Sequence, residues 1–474
     1  MRRFRMAAVL VLALTISVPA MAAGTASEVN FFSNALGTER TALVYLPEGY
    51  ETSGLEYPVV YLIPGHAGTA GNWYSLPEFI EALDQMVGDG LVDPFILIEV
   101  DSSCMPWAPD LPYPFPCHLT DSALTGNHET ALVEDLVPWI DANYRTVADK
   151  NHRFIFGRSA GGYGAARVAL RHPGVFGGLG TQVGLVLLEP VQYMLPMLLA
   201  EYPAGPPYSF NPTAGEVSFM LFSWSAAFIP NLTNPPWNVD FVVDQDGDLD
   251  PEVWDRFAAQ STSRWASEFA ASGAVLDIFM DYGDSDSMQP FTTMFAAVLD
   301  AFEIPCTVKA FHGDHSDPPM WQRLRTHVTY FFPLNATVEL RPRVLNGKHS
   351  WPPVKASIEL PGDLDVADID TTTLAITKIN GEDLEQPLPA LLIHGGRDVS
   401  DVNGNGHDDL TVWFCKSSLL RVISDLGIAD HEPFDVTIEG ETTDGWFLAA
   451  TDEQRAINMS VTEAGCPLWP LAVD

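Results

Sequence analysis

Four short stretches that are apolar at nearly every position constrain this chain most. They are Tyr57–Ile63, ending in Pro64-Gly65, Phe95–Val100, Phe154–Phe156 and Val275–Met280. A half-buried strand alternates apolar and polar residues. These runs do not alternate, so both of their faces must be covered, as in the central strands of a parallel sheet packed between helices. Amphipathic segments lie between them. Within 129–144, Leu132, Leu136, Trp139 and Ile140 recur at helical spacing. This succession predicts an α/β fold, with a doubly wound and mostly parallel sheet.

The alternation fails at two places. Residues from about 185 to 265 are rich in Pro, Trp and Phe, as in Asn234-Pro235-Pro236-Trp237, and predict an insertion that is either a lid or substrate wall or a packed surface excursion. Beyond residue 335 the apolar residues alternate with polar ones, in 337–341, 354–360 and 434–438, with turn clusters between and little helix signal. This predicts an α/β domain over 23–335 and a small all-β sandwich-like domain with a C-terminal tail over 336–474.

Residues 1–22 read as an export signal. Arg2, Arg3 and Arg5 precede an apolar run that ends in Ala20-Met21-Ala22. That run is short for a bilayer span, and no other stretch has the length and apolarity of one. The expected location is therefore secreted or periplasmic, with no membrane span. The 62 acidic and 24 basic residues leave a net charge of −38, which repels nucleic acid and anionic lipid. Export permits disulfides. Cys104 with Cys117 and Cys415 with Cys466 are the plausible pairs, and Cys306 reads as a free thiol.

The single G-x-S-x-G match is Gly157-Arg158-Ser159-Ala160-Gly161. Phe154–Phe156 supplies a strand before it, and Tyr163–Arg171 a helix after it. This is the context in which a serine on a sharp strand-to-helix turn becomes a nucleophile, and it outweighs the rival reading of a structural serine in a Gly-rich turn. Such a serine needs a base, and the base an orienting acid. Asp281-Tyr282-Gly283-Asp284-Ser285-Asp286 follows one predicted strand, and His312-Gly313-Asp314-His315 follows the last, Thr307–Phe311. Open α/β sheets place their sites at these strand ends. Two backbone N–H groups must face the developing oxyanion. Ala160 is one candidate, and the loop 65–68 is the expected source of the other. His66 has no partner at ligand spacing that would make it a metal ligand.

Four stretches together resemble the esterase D-type, feruloyl esterase-like branch of the α/β-hydrolases. They are Tyr57–Gly65 with Trp73, the segment Glu134–Thr146, the turn Gly157–Gly164, and Gly313-Asp314-His315. The resemblance covers roughly residues 30 to 335. It implies a serine carboxylic-ester hydrolase in which His315, in G-x-H, is the base and Asp286, in D-x-G-x-x-D, is the acid. It also implies that the N–H of His66 joins that of Ala160 in the oxyanion hole, and that Trp73 lies at the substrate. Arg158 stands where that branch commonly has His, and Pro64 where it often has His or Asp. An acyltransferase of the mycolyltransferase type would use the same triad. A non-catalytic polysaccharide-binding protein is the rival from another class. The partner expected is an ester, including esters linked to carbohydrate.

No redox or nucleotide cofactor is implied, since no Walker or dinucleotide glycine loop occurs. Two acidic loops suggest calcium. Residues 401–409 follow the start of a D-x-[DN]-x-[DN]-G loop and would offer Asp401, Asn403, Asn405 and Asp409, but Val412 replaces the closing glutamate. Residues 244–250 carry Leu249 where such a loop has glycine. In both, a turn held by Asx hydrogen bonds is the competing reading.

Overall fold

The computed structural model describes residues 24–66, 73, 75–104, 115–349, 352–391 and 398–459. The expected export signal over 1–22 and Cys466 lie outside them. An eight-stranded sheet organises the first two thirds. Its strands are β1 (Thr25–Ser33), β2 (Thr38–Leu46), β3 (Val59–Ile63), β4 (Ile96–Val100), β5 (Arg153–Arg158), β6 (Gly178–Gln182), β7 (Asp277–Gly283) and β8 (Thr307–Phe311). They lie in the order β1-β2-β4-β3-β5-β6-β7-β8. From β4 to β8 all pairs are parallel, and β1 and β2 add an antiparallel edge. Every residue of β3 and β4 is buried, as their unbroken apolar runs require. Helices cover both faces, among them α1 (Pro77–Gly88), α2 (Ala160–Arg171), α3 (Glu216–Phe228), α4 (Ser263–Ser272), α5 (Gln289–Ala301) and α6 (Met320–Phe331).

Two differences from the expected elements have clear causes. β6 has the sequence Gly-Leu-Gly-Thr-Gln and carries no apolar signature. A Cβ on Gly178 would stand 2.5 Å from the Phe154 ring, and one on Gly180 2.7 Å from the Phe156 ring. The glycines thus leave room for neighbouring aromatic rings, which supply the burial that β6 does not. β7 starts two residues late and runs on through Asp281 to Gly283, leaving Val275 exposed. Asp281 can lie inside a buried strand because Oδ2 meets Nε2 of His327 at 2.9 Å and Oδ1 accepts the N–H of Val183 at 2.9 Å.

The 185–265 segment is a packed wall. It is built on α3, α4 and the helices Leu195–Ala200 and Pro251–Ala258. Its own apolar cluster includes Leu185, Leu198, Trp224 and Phe257, together with Tyr163 of α2. Ser122 Oγ donates to the carbonyl of Ala226 at 2.6 Å, and Tyr163 to that of Gln260 at 2.7 Å.

The region after residue 333 is mostly antiparallel β, as expected. Thr337–Arg341, Val354–Glu359, Asp409–Phe414 and Asp398–Ser400 form one sheet. Phe447–Ile457, Pro433–Thr442, Ile369–Ile379 and Glu382–Pro389 form the body of a second. A helix, Lys416–Asp425, was not expected there. Its Leu419, Leu420 and Ile423 enter the core shared by the sheets, and this core is continuous with Phe79 and Leu83 of α1 and Leu324 and Val328 of α6. Thr329 of α6 accepts the N–H of Phe447 at 3.1 Å. The β region therefore braces α6 directly.

The expected Cys104–Cys117 disulfide is corrected: both are buried free thiols, and Cys306 is a half-buried one. Cys104 faces Phe115 across a two-residue ladder, while the N–H of Cys117 bonds Ser102. Diagonal neighbours of this kind stand about 7 to 8 Å apart, beyond the usual disulfide span. No helix among the described residues is long and apolar enough to cross a membrane.

Candidate active site

Ser159 follows β5 directly and has φ 52° and ψ −123°, a backbone conformation unusual for any residue but glycine. Close packing enforces it. A Cβ on Gly157 would lie 2.2 Å from the carbonyl oxygen of Gly161, and one on Gly161 would lie 2.4 Å from those of Ile63 and Pro64. Only bare backbone permits so sharp a turn between the strand and α2. The N–H of Ser159 bonds Gln182, and its carbonyl accepts from Gly162 and Leu185.

The ends of β7 and β8 are joined through their loops. Asp284 N–H donates to Phe311 and Ser285 N–H to Gly313, both at 2.9 Å. Asp314 Oδ1 accepts the N–H groups of Ser316 and Asp317 and so shapes the turn that carries His315. The result is one chain of contacts: Ser159 Oγ lies 3.0 Å from Nε2 of His315, and Nδ1 of that ring lies 2.9 Å from Oδ2 of Asp286. With the proton on Nδ1, the ring donates to Asp286 and accepts from Ser159. Burial pushes the Asp286 carboxyl up, but the hydrogen bonds from His315 and the Met288 N–H and the charges of His315 and Arg323 outweigh it. The acid is held below the usual carboxylate range. Asp284 meets His312 at 3.0 Å instead, in a pair apart from Ser159.

Gly65 abuts the nucleophile: a Cβ there would stand 3.3 Å from that of Ser159. Gly65, the residue before His66, thus packs against the serine. Ala160 opens α2, where the first N–H groups have no intrahelical acceptor. The His66 ring meets Phe219 edge-on at 4.7 Å, and neither ring nitrogen has a hydrogen-bond partner. Burial pushes the ring down to about 4, so it is neutral at ordinary pH. Trp73 is corrected from a substrate contact to a core residue. It is 1% exposed, packs against Phe79 and Phe156, and donates its N–H to Glu99 at 3.0 Å.

The 401–409 loop is a self-bonded hairpin. Asp401 accepts the N–H groups of Gly404, Asn405 and Gly406, and Asp409 that of Val402. The amides of Asn403 and Asn405 turn to Glu359. These bonds fit the competing reading of a turn held by Asx hydrogen bonds. Likewise Asp244 accepts from Asp246 and Asp248, and Asp250 caps the helix Pro251–Ala258. Among the described residues no cluster of three or more His, Cys, Asp or Glu could hold a metal.

Sequence reasoning missed the ties behind the site. Asp281 and His327 are one. Glu129 is another: it gathers Arg167, Arg171 and His172, holding α2 at 2.7 to 2.8 Å. Burial pushes Glu129 up, but the hydrogen bond from His172, the charge of Arg167 and the hydrogen bonds from Arg167 and Arg171 bring it to about 2, against an ordinary 4.5. A depressed carboxylate stabilises the fold above its ordinary value and loses that contribution as pH falls toward its folded value. Stability is therefore expected to fall between pH 4.5 and about 2. Glu129→Gln should remove that dependence and cost a few kcal/mol at neutral pH, because Arg167 is left buried without its counter-charge. Melting curves of both proteins across that pH range test it, and parallel curves would refute the role of Glu129.

A family model described as putative esterase matches residues 33–322. The chain is 32% identical over 158 residues to an endo-1,4-beta-xylanase/feruloyl esterase of Xylanibacter ruminicola, covering 32% of this chain and 21% of that one. It is 33% identical over 156 residues to an esterase of Mycobacterium tuberculosis, covering 32% of this chain and 31% of that one. The match thus spans under a third of the length of these curated relatives. A solved ferulic acid esterase aligns with a TM-score of 0.44 at 19% identity, over 66% of this chain and 97% of that one.

Proposed function

The chain belongs to the putative esterase family, and from that premise we propose that it is an exported serine esterase working through Ser159, His315 and Asp286. The observation that carries this reading is the unbroken hydrogen-bond chain from Ser159 Oγ through His315 to Asp286. In the proposed cycle His315 Nε2 takes the hydroxyl proton as Oγ attacks the ester carbonyl. Asp286 holds the tautomer and stabilises the imidazolium. The N–H groups of His66 and Ala160 receive the oxyanion. The tetrahedral intermediate collapses, His315 gives its proton to the leaving alkoxide, and an acyl-serine remains. Water, activated by the same ring, then releases the acid.

The substrate class proposed is a carbohydrate-linked ester. The name of one relative, a xylanase/feruloyl esterase, supports this reading. Export is proposed on the charged and apolar start of residues 1–22. Labelling by a fluorophosphonate, lost in Ser159→Ala, tests the nucleophile and separates an enzyme from a carbohydrate-binding protein. Product analysis with sugar acceptors present separates hydrolysis, the expected outcome, from acyl transfer.

No cofactor takes part in the proposed chemistry. Because the 401–409 hairpin is held by its own hydrogen bonds, EDTA is expected to leave the melting temperature of the full chain unchanged. A drop restored by calcium would assign Asp401, Asn403, Asn405 and Asp409 to a metal instead.

A further inference from the structure

Arg158 is the last residue of β5, and Ser159 is its covalent neighbour. Its side chain crosses to the other half of the site, where Nη2 donates to the main-chain carbonyl of His315 at 2.7 Å. One residue therefore touches the backbones that carry the nucleophile and the base. Those backbones have no short route between them. β5 and β8 are separated by β6 and β7, about 14 Å at the usual strand spacing. Apart from the bond between the His315 ring and Ser159 Oγ, which the reaction itself uses, the other hydrogen bonds of the His315 turn run to the acid side or stay within the turn: Gly313 to Asp284 and Ser285, Asp286 to the ring, and Asp314 to its own loop.

The side chain is also costly to keep there. Nε is buried without a partner, and Arg323 lies close enough to repel, with Asp281 and Asp286 compensating. A buried cation with one unsatisfied donor adds little to stability, so a gain in geometry is the better account of its presence.

We propose that Arg158 is a positioning residue for the base: its guanidinium holds the His315 main chain where Nε2 can accept the Ser159 proton. This rests on the Ser159–His315–Asp286 reading. Small displacements at such a contact are costly, on the order of a hundredfold for an ångström.

Arg158→Met keeps the length and removes the donors. It is expected to lower kcat by about a hundredfold while KM stays within about threefold. Arg158→Lys, which retains a cationic N–H donor group, should recover most of the loss. Guanidinium ion at non-denaturing concentration should partly rescue Arg158→Ala, and tetramethylammonium at equal ionic strength should not. All variants should still take up a fluorophosphonate to full stoichiometry, more slowly than wild type. A kcat for Arg158→Met near wild type, a loss confined to KM, or no guanidinium rescue would overturn the proposal. If Arg158→Met fails to fold, Arg158→Ala decides at matched melting temperature: a lowered kcat at constant KM that guanidinium partly restores supports the role, and a wild-type kcat or a loss that guanidinium leaves unchanged overturns it. Undiminished labelling of Ser159→Ala would overturn the triad reading itself, and that outcome is distinct from any result at Arg158.

Discussion

Ser159→Ala is expected to reduce turnover of a carboxylic ester to less than about a thousandth of the wild-type rate, with the fold intact. The change removes one oxygen from a residue whose surroundings are set by backbone. The turn is held by Gly157 and Gly161 and by main-chain bonds to Gln182 and Leu185, none of which uses Oγ. What disappears is the atom 3.0 Å from His315, and with it the acyl-enzyme route. The oxyanion donors and the substrate contacts would remain, so residual hydrolysis above the rate in water is expected. Initial rates on a short-chain nitrophenyl ester, with circular dichroism as the control for folding, provide the measurement. A folded variant retaining a tenth of the activity would remove Ser159 from the mechanism.

Asp286→Asn should cost up to about ten-thousand-fold in turnover, whereas Asp284→Asn should leave most of it. Both carboxylates follow β7, and both face a histidine from the end of β8, so the sequence offers two Asp–His pairs. Their surroundings differ. The Asp286 side chain is 2% exposed and its His315 partner reaches Ser159. Asp284 is 48% exposed and its partner His312 95% exposed. An amide at 286 could donate to Nδ1, which favours the tautomer with its proton on Nε2, where it cannot accept from serine. At 284 the same change weakens a solvated pair that orders a loop. Turnover of the two variants on one ester separates them, and a crippled Asp284→Asn with an active Asp286→Asn would reverse the assignment.

Several features of the molecule were legible in the amino-acid order alone because they depend on neighbours in the chain. Runs such as Val59–Ile63 and Ile96–Val100 can be satisfied only by burial on both faces, which imposes a covered parallel sheet. Glycines around Ser159 announce a turn that other residues could not make. The same alternation placed the acids of 281–286 and the histidines of 312–315 after successive strands, and the family resemblance picked out Asp286 and His315 among them. Other features were settled by contacts between distant segments. β6 is a strand because its glycines receive Phe154 and Phe156 from β5. Trp73 lies in the core because Phe79 and Phe156 surround it, although its chemistry suits a ligand equally well. Asp281 is tolerated inside β7 because His327 reaches it from α6, 46 residues on, and the Val183 N–H from 98 residues back. The Arg158 side chain finds the His315 carbonyl 157 residues away. A local pattern encodes periodicity and turn chemistry, which act over a few residues. The partner of a buried polar group is chosen by how strands and helices stack, and that choice exists only once the sheet has formed.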